Sequence, residues 1–381
     1  MTTVVHSVRL VDDGRITDDA WAAFGDGVVI ATGTGDGWRA LPASDALDGD
    51  GGILTPGFID LHGHGGGGCA FDDGPEAIRT ARAVHLARGT TRAVLSLVTA
   101  SVDDLAERVR TIARLAGDDA TILGSHLEGP FLDPAHKGAH TEGLLRPPDA
   151  ATVDRLLTAG AGTVRQVTLA PELPGALDAV RRFVAGGARV AVGHTGATAA
   201  QASAAFDAGA TLLTHAFNAM PGIHHRAPGP IVAALGDDRV TLEVIADGIH
   251  VDPSVVALAF TGAPGRVALI TDAMAAAGVG DGHYELGGLA VTVAGGTARL
   301  DDGGAIAGST LTQDAALRVA VGAGVDLASA VSALTSVPAR AIGEEGRYGS
   351  LRAGAAADAV LLDDALSVRA VWVDGVRAAR A

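Results

Sequence analysis

The chain has 381 residues, of which 48% are hydrophobic but only 3% aromatic, and it carries a formal charge of −16. A balance this acidic excludes nucleic acid and anionic membrane as natural partners, since both demand a basic footprint. A single cysteine, Cys69, excludes an internal disulfide and a Cys-rich zinc site, and no predominantly apolar, uncharged stretch reaches the ~18 residues of a membrane span.

In chain order, residues 1–54 hold short strand-like runs at 4–10 and 28–31, broken by Gly and Asp. No basic segment followed by an apolar run opens the chain; with one cysteine, this reads as a cytoplasmic protein in a reducing compartment. From Gly57 onward, apolar runs rich in β-branched residues alternate with Ala/Leu-rich helical stretches. The predicted strands are 58–62, 93–98, 121–127, 164–169, 189–192, 211–215, 241–246 and 267–271. Helical patterns fall between them at 76–88, 102–115, 150–159, 176–185, 198–208 and 253–260. Strands alternating with helices imply βαβ units and a parallel sheet. Eight units favour closure into an α/β (β/α)8 TIM barrel, with a doubly wound open sheet as the alternative. The tail from Gly349 returns to strand-like runs at 359–362 and 368–373, with Asp374-Gly375 as a hairpin turn. Neither flank could bury a core alone, so residues 1–54 and 349–381 are expected to pair as a small β-sandwich beside a barrel at 55–348.

Polar residues mark the strand ends, where barrels carry their chemistry. His62 closes the first predicted strand and His64 follows two residues on. Extended backbone projects such a pair to one face, so both imidazoles can reach one ion. Glu128 follows the third strand and His194 the fifth, His215 closes the sixth, and Asp272 follows the eighth. Taken singly, each has a plainer explanation: a Gly-rich turn, a helix-terminal charge, a hydrogen-bonded core histidine or a cap. Those explanations must hold independently at five strand ends, whereas one site for Zn²⁺ or a similar divalent ion accounts for all of them. The other histidines His6, His85, His126, His136 and His283 read as structural or surface residues. The only lysine, Lys137, lies in a loop past Glu128, so Glu128 rather than a carbamylated lysine is the natural bridge between two ions.

The segment Pro56-Gly57-Phe58-Ile59-Asp60-Leu61-His62-Gly63-His64-Gly65 resembles the first-strand motif of the amidohydrolase superfamily. The tail Gly349-Ser350-Leu351-Arg352-Ala353-Gly354, with Ala357-Asp358 beyond it, resembles that superfamily's return into its β domain. Within the superfamily the chain closely resembles the N-acetylglucosamine-6-phosphate deacetylase family. The matching segments are His126-Leu127-Glu128-Gly129-Pro130-Phe131, Lys137-Gly138-Ala139-His140, Gly193-His194-Thr195, Thr214-His215-Ala216-Phe217-Asn218-Ala219-Met220-Pro221, Ala246-Asp247-Gly248-Ile249-His250 and Thr271-Asp272-Ala273-Met274. They run in order along essentially the whole chain.

The resemblance implies hydrolysis of the acetamide of a phosphorylated N-acetyl amino sugar, with one or two divalent ions per subunit. It implies that Glu128, His194 and His215 hold the primary metal, that Asp272 is the catalytic acid/base, and that His62 and His64 belong to a second metal. His140, after Ala139, would meet the acetyl carbonyl. The backbone at Asn218-Ala219 with Arg226 would hold phosphate, His250 a hydroxyl or phosphate oxygen, and Ile306-Ala307-Gly308 would line the sugar. It further implies a homodimer in which Arg226 reaches the neighbouring subunit's phosphate. Three alternatives stay open: the galactosamine epimer as substrate, a dihydropyrimidinase-like cyclic-amide hydrolase on the same barrel, and a non-catalytic scaffold.

Overall fold

The computed structural model describes residues 2–378. Eight parallel strands form one sheet: β1 (Phe58–Asp60), β2 (Thr90–Val98), β3 (Ile122–Glu128), β4 (Val164–Leu169), β5 (Arg189–Val192), β6 (Leu212–Leu213), β7 (Thr241–Ile245) and β8 (Val267–Ile270), each hydrogen-bonded to the next. Helices α1 (Pro75–Ala87), α2 (Val102–Asp118), α3 (Ala150–Gly160), α4 (Ala176–Ala185), α5 (Ala199–Ala208), α6 (Gly229–Leu235), α7 (Pro253–Gly262) and α8 (Gln313–Gly322) connect or flank them. This is the expected TIM barrel. The helix starts are chemically encoded: Ser101 accepts from the Asp104 amide to cap α2, and Thr198 and Gln201 close a reciprocal box on α5. With so few aromatics, the core between strands and helices is built of Val, Leu, Ile and Ala, punctuated by Phe58, Phe131, Phe183 and Phe206.

Between β1 and β8 the barrel is closed by side chains and inserted backbone. The Gln313 amide donates to the carbonyls of both Ile59 and Leu269, at 3.0 and 3.2 Å. Ala333 and Leu334 accept from the Leu269 and Ile59 amides. Higher up, Asp60 accepts from the Thr271 hydroxyl at 2.6 Å and from the amides of Thr271 and His62. The Asp272 amide then donates to the His62 carbonyl at 2.8 Å. The seam therefore holds the ends of β1 and β8 in fixed relation.

Both chain ends meet in one eight-stranded sheet. Thr3–Asp12 lies at its centre, antiparallel to Arg15–Gly25 on one side. On the other side it pairs in parallel with Asp45–Asp48 and then with Ile53–Pro56, which continues to Ala359–Leu362 and Val368–Val373. The sheet curls until Phe24 and Trp372, far apart in strand order, face each other with ring centroids 6.2 Å apart over a separate small core. Ile53–Pro56 belongs to this sheet, and the barrel begins with Phe58.

The structure differs from expectation at the strand ends and in one insertion. Strands read as reaching residues 62, 215 and 271 stop earlier, because the chain leaves the extended region as it enters the site. A three-stranded antiparallel sheet, Gly282–Leu286, Leu289–Ala294 and Thr297–Leu300, follows β8 and was not foreseen. No helix among the described residues is long and apolar enough to cross a membrane.

Candidate metal centre

The functional side chains stand where strands turn into loops. His194, His215 and Asp272 all take left-handed backbone, with φ of 47°, 26° and 50°. Such conformations are uncommon for residues with a Cβ and cluster where the fold aims a side chain. Just after Glu128, Gly129 has φ 95°, and a Cβ there would stand 2.1 Å from the Thr99 hydroxyl. The chain can therefore turn from β3 into the next loop only with glycine.

Six donor side chains from five strand ends converge. Glu128 Oε1 lies 3.1 Å from both His194 Nε2 and His215 Nε2, which are 3.0 Å apart. Glu128 Oε2 is 3.0 Å from His64 Nε2, and His62 Nε2 is 3.2 Å from His64 Nε2. Asp272 Oδ1 completes this side, 3.2 Å from His64 and 3.4 Å from His62. All six residues are buried. Two groups with compact ligand atoms result, His62-His64-Glu128-Asp272 and Glu128-His194-His215, and both include Glu128.

The donor chemistry fits a cation. His194 donates Nδ1–H to the His136 carbonyl at 2.9 Å, the tautomer that presents an Nε2 lone pair to a ligand. That lone pair faces a carboxylate oxygen and another ring nitrogen, an arrangement that is repulsive without positive charge between them. Donors ~2.0–2.1 Å from a shared tetrahedral ion stand about 3.3 Å apart, close to the separations found. Burial disfavours charge on Glu128, yet the surrounding His62, His140, His194 and His215 hold its carboxyl well below the usual range. Asp272, equally buried, is held at about 2 by His62 and His64. Burial opposes charge on His64 too, but the Asp272 and Glu128 carboxylates push it up to about 9. A cation entering the group would displace protons and take over their role.

A cavity of about 480 Å³ opens above the cluster. Of the residues expected to hold substrate, Ala139, His140, Asn218, Ala219, His250, Ile306 and Gly308 line it, along with His64, Glu128, His194, His215 and Asp272. His62 lies fully buried beneath. Ala307 does not reach the cavity; it is turned into the core under the unforeseen sheet, against Met274 and Leu286. Arg226 does not line it either: it is exposed, and its guanidinium stands 2.6 Å from His225 Nε2.

Three features escaped the sequence. His136, read as structural or surface, lines the cavity with its ring held by Asp133 at 2.6 Å. Thr99, buried at the end of β2, sits 2.9 Å from His140 Nδ1. Its hydroxyl can donate to that nitrogen, which would leave Nε2–H facing the cavity and Glu128 Oε2, 3.5 Å away. Burial pushes His140 down to about 4, so the ring is neutral. The third is Glu243, in the middle of β7. Its signal was a lone carboxylate inside an apolar run. His126, read as structural, is bonded to Ser96 and Thr168 beneath the cluster, and burial together with the nearby His62 charge keeps it neutral. Lys137 is the one residue between Ala135 and His140 that does not line the cavity.

Residues 53–378 match the model of the amidohydrolase family. The chain is 41% identical to N-acetylgalactosamine-6-phosphate deacetylase of Escherichia coli O157:H7, across 98% of this chain and 99% of that one. It is 38% identical to N-acetylglucosamine-6-phosphate deacetylase of Bos taurus, across 87% and 85%. A variant of N-acetyl-D-glucosamine-6-phosphate deacetylase from Mycobacterium smegmatis, in complex with N-acetyl-D-glucosamine-6-phosphate, superposes with a TM-score of 0.93. That match has 42% identity and covers 99% of this chain and 98% of the other.

Proposed function

The chain belongs to the amidohydrolase family, and within it we propose that it hydrolyses the acetamide of N-acetyl-D-glucosamine 6-phosphate, releasing acetate and the free amine. The observation that carries this is the convergence of six donors from five strand ends under one cavity, in a chain 42% identical to a deacetylase solved with that sugar phosphate. A cyclic-amide hydrolase would not need a phosphate clamp, and a scaffold would not need Asp272 in the cavity wall. The galactosamine epimer is a second reading, favoured by 41% identity over nearly all of both chains to the enzyme named for it.

Glu128, His194 and His215 would hold one divalent ion, and His62, His64, Asp272 and the shared Glu128 a second, with Zn²⁺ as the expected metal. Such an ion supplies Lewis acidity toward water and the acetyl carbonyl. Asp272, held as a carboxylate at the cavity wall, accepts the proton of the attacking water and returns it to the departing amine. His140 presents Nε2–H to the acetyl oxygen as negative charge develops there. The Asn218-Ala219 backbone and His250 bind the phosphorylated end, while Ile306 and Gly308 pack against the sugar beside Ala139. Ala307 acts from behind that wall, by packing.

Arg226, exposed on the loop after β6, would reach the phosphate in a neighbouring subunit of a homodimer, where its forked donors match phosphate oxygens. Among the described residues, 2–56 with 349–378 would form the supporting β domain and 57–348 the catalytic barrel, two residues beyond the boundary expected from the sequence. A cytoplasmic location rests on the single unpaired Cys69. The experiment is acetate release from both N-acetylhexosamine 6-phosphates, with the unphosphorylated sugars and a cyclic amide as controls. Turnover of the glucosamine derivative above its epimer is expected; turnover of the cyclic amide alone would sink the reading.

A further inference from the structure

We propose that Glu243, clamped by Gln166, is a positioning residue that fixes the His62 imidazole as a ligand of the cation held by His62, His64, Glu128 and Asp272. The proposal rests on the two-cation form of the function proposed above.

Glu243 is fully buried at the centre of β7, inside the barrel and below the cluster. A carboxylate in such surroundings is unfavourable unless it is paired and hydrogen-bonded. Among the described residues, no Lys or Arg forms an ion pair with it; the titratable side chain that faces it is His62. Gln166, on β4, donates Nε2–H to Glu243 Oε1 at 2.7 Å and so fixes the carboxylate plane. The other oxygen, Oε2, has no donor, and 3.5 Å away stands His62 Nδ1, which has no partner either. Two orphaned buried atoms, one able to donate and one able to accept, face each other across a gap that a small ring rotation closes.

The direction of that contact follows from the other ring nitrogen. His62 Nε2 points into the cluster, 3.2 Å from His64 Nε2 and 3.3 Å from Glu128 Oε1. A ligating Nε2 must be deprotonated, so the ring proton sits on Nδ1 and its acceptor is Glu243. Metal-bound histidines generally donate their second N–H in this way, which fixes ring and tautomer and raises ligand basicity. Among the four histidines of the cluster, His194 donates to a backbone carbonyl, while His64 Nδ1 and His215 Nδ1 have no partner. Only His62 is offered a carboxylate. Glu243 therefore acts selectively on the His62 side and adds negative charge beneath it.

The test is metal content per subunit and affinity for each equivalent, measured by chelator competition on the parent and on Glu243→Gln. With Gln166 still donating to one side, the new amide turns its NH₂ toward His62 Nδ1–H, donor against donor. The second equivalent should then bind ~10–100-fold more weakly, the first being unchanged. The exchanged pair Glu243→Gln/Gln166→Glu keeps net charge but reverses the amide, whose NH₂ now donates to the carboxylate at position 166 while its oxygen faces His62 Nδ1–H. Part of the lost affinity for the second equivalent should therefore return; no gain over Glu243→Gln would overturn the positioning role. Should Glu243→Gln not fold, Glu243→Leu/Gln166→Leu removes both polar partners together, and the same selective loss is expected. A Glu243→Gln or Glu243→Leu/Gln166→Leu protein that keeps both equivalents at parental affinity, or a parent that binds only one, overturns the proposal. Failure of the deacetylase reading would show separately, as absence of acetate release by the parent whatever its metal content.

Discussion

Arg92 and Asp358, 266 residues apart in the chain, form a two-pronged ion pair, with Nε to Oδ2 at 2.6 Å and Nη2 to Oδ1 at 2.8 Å. Arg92 lies on β2 and is fully buried; Asp358 precedes a strand of the terminal sheet and also accepts the Asp374 amide. Burial opposes charge on Arg92, but the Asp358 carboxylate keeps it above its usual value. The pair couples the barrel to the sheet built from the chain ends. Truncation leaves the buried guanidinium with only the half-exposed Asp374 carboxylate as counter-charge, so Asp358→Ala should lower unfolding stability by ~3 kcal/mol. Asp374, half exposed on the same guanidinium, should cost about 1 kcal/mol when replaced by Ala. Equal unfolding midpoints in urea for the two variants would refute this ranking.

Glu128 belongs to both donor groups. Glu128→Ala should therefore leave purified protein without either metal equivalent, while His62→Ala should deplete chiefly the second. Elemental analysis after dialysis reads both, and a Glu128→Ala protein with full metal and full turnover would exclude the site as described.

Asp272→Asn preserves shape but cannot shuttle a proton at neutral pH. We expect kcat to fall ~10²–10⁴-fold with KM little changed. Turnover within tenfold of the parent would place the base elsewhere.

Arg226 does not reach the cavity of its own subunit. Arg226→Ala should raise KM for the 6-phosphate and scarcely affect the unphosphorylated sugar. Mixing Arg226→Ala with Asp272→Asn subunits should regenerate activity, because one site in each mixed dimer keeps Asp272 and receives Arg226. Verified mixed dimers that remain inactive would confine Arg226 to its own subunit.

His250 Nδ1 lies 2.6 Å from Asp247 Oδ2. Burial opposes its charge, but the Asp247 carboxylate outweighs that and raises the imidazole above its usual value. A raised value means that the cation is fully present below the ordinary histidine range and is lost as pH rises through the shifted one. KM for the phosphorylated substrate should therefore increase on the alkaline side. In Asp247→Asn the increase should begin at lower pH, and superimposable KM–pH curves would rule out the charge contribution.

Much of the centre was legible because barrel geometry forces chemistry to strand ends, so His62, His64, Glu128, His194, His215 and Asp272 could be picked by position alone. The three-stranded insertion was not, although Gly287-Gly288 and Gly295-Gly296 mark its two hairpin turns. Its strands have mixed burial and no long apolar run. Arg15–Gly25 was missed for a similar reason: its first half is exposed and charged, and only its second half is buried. Glu243 was absorbed into an apolar run, since one-dimensional reading cannot distinguish a barrel interior from a barrel wall. Thr99 and His136 act through neighbours distant in sequence, which no local pattern records.

The scarcity of lysine has a practical outcome. The chain offers amine-directed reagents a single side-chain target, Lys137. Its neighbours from Ala135 to His140 line the cavity while it does not. A dye or surface tether coupled there would sit beside the cavity wall, with the α-amino group as the other amine such reagents reach. The wild-type sequence thus already carries a built-in attachment point for watching ligand arrival by fluorescence.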